Sequence, residues 1–148
     1  MSGPTDLRIF TIEEANRALP DLRQRLPELR KLLRKIERAE DRLDILDLIC
    51  NRSVSASNPD LREYLSLKAK YHRLIERFEE RLSDLDAVGY LLMNLEDGVV
   101  HFVARRRGQN VLLCWKEGES EVGHWHEPHD GTADEGDRRD IGTPWKEH

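Results

Sequence analysis

The sequence predicts an α+β fold. A long antiparallel two-helix hairpin, coiled-coil-like, packs with a small three-stranded antiparallel sheet, and an acidic C-terminal tail follows. Three observations predict it. Apolar residues recur at alternating spacings of three and four up to Leu85, the period shortens after Gly89, and all periodicity ends after Pro128. The expected organisation is one domain over residues 1–127, with the hairpin at 11–88 and the β-meander at 90–127, and a loosely ordered tail at 128–148.

Residues 1–10 are a lead-in. Thr11 to Glu14 form a capping box, in which the Thr hydroxyl takes the Glu14 amide and the Glu14 carboxylate reaches back. Leu19, Leu22, Leu26, Leu29, Leu33 and Ile36 make a heptad seam that continues more loosely through Leu43, Leu46 and Cys50. Pro20 and Pro27 interrupt it. Each lacks an amide hydrogen, so bends are expected there, with a break at Pro20 as one alternative. Residues 51–58 are small and polar and read as a loop. Asn58-Pro59 restarts a helix, Asn as cap and Pro at the first helical position. Its seam runs Leu61, Tyr64, Lys68, Tyr71, Ile75, Phe78, Leu82, Leu85, which places the aromatics in the core. Leu32, Ile45, Leu48, Leu65, Leu67 and Leu74 fall beside or outside the main stripe. That surplus predicts a second contact face, either the sheet or another copy of the chain, with a homodimer pairing two hairpins into a four-helix bundle preferred.

Tyr90 to Leu95 reads as a short strand or an irregular segment. Val99–Arg106 and Asn110–Lys116 are strands joined at Arg107-Gly108, and Glu121–His126 is a third strand after a turn at Glu117–Ser120. Arg105 to Arg107 crown a hairpin tip and read as solvated charge, and His72 as a helix-surface residue.

The composition narrows the function classes. The chain has 148 residues, 36% of them charged, and a net charge of -5. Residues 127–148 carry seven acids against three bases, a net -4, so the remainder is almost neutral. A balanced body lacks the concentrated positive field that broad nucleic-acid or anionic-membrane binding requires. No signal peptide or apolar run of membrane-spanning length is read, so a cytoplasmic location is expected. The two cysteines, Cys50 and Cys114, suggest no disulfide framework.

The candidate chemistry lies between Val99 and His129. His124 and His126 are two apart on a strand and leave the same face, a workable geometry for two imidazoles on one metal. Glu127 and His129 follow closely enough to join them. A two-residue turn at Arg107-Gly108 sets His101 opposite Cys114, which makes a second pair. A regular second turn would set Cys114 opposite Gly123 and put His124 and His126 on the other face, so the His124/His126 group is the preferred metal site. The plain alternatives are polar strand-face imidazoles and a Cys114 that is a small buried hydrophobe. A Cys114 nucleophile with His101 as its base is a further alternative.

Phe10–Asn16 with Leu19-Pro20, Gly98–Phe102, Leu113–Trp115, Gly118-Glu119 and Trp125–Glu127, in that order, resemble the bacterial family called domain of unknown function 2203, to about Ile141. The resemblance implies no established activity. Members typically carry Asp at the position of His101, an aromatic at that of His124 and a compact Gly- and Arg-containing ending. Cys114, Trp125, His126 and Glu127 are the family-like positions.

Two functions from different classes follow. The first is a bacterial protein binding zinc or another transition metal through His124, His126 and Glu127, with His101, Cys114 and His129 in reserve; Glu127 could serve as base toward a metal-polarised water. The second is a non-enzymatic oligomerising or adaptor module acting through its hairpin. A homo-oligomeric partner is expected, and neither nucleic acid nor membrane.

Overall fold

The computed structural model describes residues 8–50, 59–128 and 138–142. The order of elements is α1 (Ile12–Cys50), α2 (Pro59–Ala87), β1 (Leu91–Asn94), β2 (Val99–Arg106), β3 (Gln109–Lys116), β4 (His124–His126) and β5 (Arg139–Asp140). The class is α+β, with a five-stranded antiparallel sheet in sequential order rather than a three-stranded one. The added strands are the edges. β1 is short and carries a register shift between Leu92 and Asn94. β5 lies in the stretch expected as loosely ordered tail, where Arg139 and Asp140 pair with Trp125 and His124. The chain divides into two compact units, Met1–Leu26 with Asp84–His148, and Pro27–Ser83. No described helix is long and apolar enough to cross a membrane.

In the first unit, the capping box forms as the sequence requires. The Thr11 amide donates to Glu14 Oε1 at 2.9 Å and the Glu14 amide donates to Thr11 Oγ1 at 3.0 Å. α1 runs unbroken through Pro20 and Pro27. Both prolines are exposed, so water can take over the carbonyls that each ring leaves without a partner. Ala15, Ala18, Leu19, Leu22 and Leu26 are buried. Phe10 is 1% exposed, edge-on to Phe102 at 5.1 Å and tilted on Tyr90 at 6.3 Å, and its amide donates to Val103 O at 2.7 Å. Phe10 is thereby fastened to β2. β2 is buried from Val99 to Ala104, as a strand covered on both faces must be.

In the second unit the helices are antiparallel: Arg42 forms a bidentate pair with Glu63 at 3.0 Å, and Tyr71 donates to Glu40 at 3.2 Å. Leu32, Ile36, Ala39 and Leu74 form the buried cluster, with Leu67, Tyr71, Ile75 and Phe78 packed against it but only half-buried. Two helices cover one side of the α2 aromatics, so these are half-core rather than core. Asn58 and the rest of the expected loop at 51–58 lie outside the described residues.

Candidate metal centre

The β2–β3 hairpin turns on Arg107 (φ 53°) and Gly108 (φ 79°), both left-handed, as a two-residue turn of this twist demands. Its register sets His101 opposite Cys114, as the spacing predicts.

The next strand departs from expectation. β4 pairs Cys114 with His124, Leu113 with Trp125 and Leu112 with His126. The segment from Glu117 to Gly123 has an odd number of residues and is no regular hairpin loop. It is held by contacts remote in sequence: the Val122 amide donates to Asn16 Oδ1 at 2.7 Å, and Arg23 donates to the carbonyls of Glu119 and Ser120 at 3.3 Å. The register is one residue away from the expected pairing with Gly123. The face therefore inverts. His124 and His126 share the face of His101 and Cys114.

Of these four, three converge. Donor atoms of His101, Cys114 and His126 all lie within 4.8 Å of one another, and the residues are 2%, 3% and 2% exposed. His101 Nε2 and His126 Nε2 are 3.2 Å apart, with the rings edge to face. Two nitrogens each ~2.0–2.1 Å from a tetrahedral zinc stand roughly 3.3–3.4 Å apart, and a sulfur at ~2.3 Å stands roughly 3.5–3.6 Å from each. The nitrogens are almost at the required separation. His126 Nδ1 lies 3.3 Å from the Glu127 carbonyl, and donation of an Nδ1 proton there leaves the Nε2 lone pair free to ligate. Burial, with smaller contributions from His126 and Arg138, holds His101 down to about 4, so its imidazole is neutral at pH 7. His101 Nδ1 is buried and finds no partner among the described residues.

His124 belongs to a different constellation. It sits half-buried against Arg138 (Nδ1 to Nη2, 3.0 Å), Glu119 (3.4 Å) and Asp140 (3.2 Å). Arg138 also donates to both oxygens of Glu119, at 2.9 and 3.0 Å, and to the Cys114 carbonyl at 3.5 Å. Burial alone would raise the Glu119 carboxyl, but the Arg138 hydrogen bonds and the Lys116 amide outweigh it and hold it below the usual carboxylate range. For Arg138, burial opposes the charge, and Glu119 more than restores it. Glu127 is exposed, 3.7 Å from Arg139 and outside the trio. His129 lies outside the described residues.

Sequence reasoning missed Glu119, Arg138 and Asp140. The available signal was Arg138-Arg139 within an otherwise acidic stretch. Arg139 and Arg106 both stand over the Trp125 ring, at 4.9 and 4.6 Å, so residues 138–140 are held by cation–π contact as well as by ion pairs. The Trp115 indole is fully buried and donates to the Glu119 carbonyl at 2.9 Å.

Fold and site define a class: a small α+β protein with a buried His/Cys cluster in its sheet, of a chemistry that could hold a metal ion. A family model described as "Uncharacterized conserved protein (DUF2203)" matches residues 8–141, and the chain belongs to that family. Nothing among the curated proteins or the solved structures matches it.

Proposed function

We propose that this protein binds a transition metal, zinc by the chemistry of the donors, through His101, Cys114 and His126. The observation that carries the reading is the 3.2 Å separation of the two Nε2 atoms, with the Cys114 sulfur in range. Two imidazoles and a thiolate suit zinc. They leave a fourth tetrahedral position to water or another donor. Burial of all three ligands favours a tie between β2, β3 and β4 over a freely accessible reaction centre. The test is elemental analysis by mass spectrometry of untagged protein purified without chelator, alongside His126→Ala. Near-stoichiometric metal in the wild type, lost in the variant, is the expected result. No metal in the wild type, and none taken up on adding zinc, would refute the reading.

A second reading, homodimerisation through the hairpin, is favoured by one observation. Leu48 and Leu65 are 71% and 59% exposed, and Ile45 and Ile49 are exposed beside Leu48. Ile45, Leu48 and Ile49 lie within about one turn of α1, and such an apolar strip supports a contact surface. Light scattering of the eluting protein should give twice the chain mass, falling to one chain in Leu48→Glu/Leu65→Glu. A monomeric wild type at high micromolar concentration removes this reading.

A further inference from the structure

The hairpin unit holds a groove that the metal reading does not use. It has a volume of about 580 Å3 and is lined by Lys35, Arg38 and Arg42 from α1 and Lys70, Arg73 and Arg77 from α2, over Ala39, Leu67 and Leu74. No acidic side chain is among these lining residues. Counting in opposite directions from the Glu40–Tyr71 contact sets Lys35 near Arg77, Arg38 near Arg73 and Arg42 near Lys70. The cations are thus rungs of a ladder, one helical turn (~5 Å) apart and ~10 Å from first to last. Arg42 pairs with Glu63. The other five make no ion pair with a described residue.

Like charges stacked along and across a helix pair oppose its packing. The chain as a whole has more acids than bases, so this segregation does not follow from composition. We propose that the groove binds a short oligophosphate, either free or as the phosphate chain of a nucleotide. Four of the six cations are arginines, whose planar forks match phosphate oxygens two at a time. Six cations lining one groove call for a multiply charged anion. Ala39 and Leu74 are almost wholly buried, so the floor offers little to the apolar stripe of an acidic helix. The lining has no aromatic ring on which bases of a single strand would stack.

The test is calorimetric titration of the full chain with sodium tripolyphosphate at low salt. Saturable 1:1 binding that weakens steadily as salt rises is expected. Arg38→Glu/Arg73→Glu should weaken it at least tenfold. Arg34→Glu/Arg81→Glu, which changes cations outside the groove, should leave it within about twofold. Should the first variant lose helical circular dichroism, Arg38→Gln/Arg73→Gln replaces it with the same expected direction. A nucleoside triphosphate binding as well as tripolyphosphate assigns the contacts to phosphate alone, and tighter binding adds the nucleoside. No saturable binding, equal loss in both variant pairs, or a clear preference for long duplex DNA overturns the proposal.

Discussion

Replacing His101 and His124 one at a time separates the geometry of the site from the pattern in the sequence. His124 and His126 look like the metal pair, two apart on one strand, yet only His126 stands with His101 and Cys114. If the trio binds zinc, free metal at a hundred times its dissociation constant stabilises the fold by about 2.7 kcal/mol. For a chain of this size that raises the melting temperature by roughly 5–10 °C. His124→Ala should keep that metal-dependent rise in full. It should lower the metal-free melting temperature by only a few degrees, because a side chain 30% exposed loses charge-assisted hydrogen bonds to Arg138 and Asp140 worth about 1 kcal/mol after solvent screening. His101→Ala and Cys114→Ser should abolish most of the rise. The assay is thermal melting with and without added zinc, supported by cobalt substitution, where a thiolate-to-metal absorption band present in His124→Ala and absent in Cys114→Ser identifies the sulfur. X-ray absorption should give nitrogen shells near ~2.0–2.1 Å and one sulfur near ~2.3 Å. A metal response lost in His124→Ala but retained in His101→Ala would refute the reasoning, because it would return the site to the strand-face pair.

Two predictions concern what holds the sheet unit together. Phe10→Ala removes a ring that is 1% exposed and packed on Phe102 and Tyr90, and should cost about 3–5 kcal/mol in urea unfolding; a loss under about 1 kcal/mol would mean that the lead-in is not anchored there. Glu119 has a folded-state pKa below its ordinary value of 4.5. Its stabilisation is therefore complete above that value and is lost as pH falls from 4.5 through the lower folded-state value. Glu119→Gln should show a shallower loss of stability over that acid range, followed by tryptophan fluorescence, and an acid limb identical to that of the wild type would count against the Arg138–Glu119 tie.

The parts legible in the sequence are those set by local chemistry. Thr11 and Glu14 cap α1 because both groups lie within one turn, and Pro59 opens α2 because its missing amide costs nothing at a first position. Arg107-Gly108 fixes a two-residue turn, and with it the pairing of His101 with Cys114. The illegible parts depend on groups far apart along the chain. β5 exists because Arg138 and Arg139 find Glu119 and Trp125, and composition alone makes that stretch look like a tail. Pro20 and Pro27 each follow a seam leucine by one residue and both are exposed, yet α1 runs on through them, an outcome the pattern of leucines left open between a bend and a break.

The identity of the buried His101, Cys114 and His126 trio turns on a single parity. Side chains alternate across a strand, so the number of residues between β3 and β4 decides whether the imidazoles of β4 share the face of Cys114. An even loop would have put Gly123 opposite Cys114 and sent both His124 and His126 to the far face, and no cluster could then form. The segment from Glu117 to Gly123 is odd because it does more than turn the chain. It reaches Asn16 and Arg23 on α1, buries Val122, and returns the Glu119 carboxylate to the Lys116 amide and to Arg138. The same segment that brings His126 to His101 also supplies the carboxylate that holds Arg138 beside His124. That division of labour explains why two histidines on one face of one strand have different surroundings: one faces a buried sulfur and imidazole, the other a half-exposed set of charges.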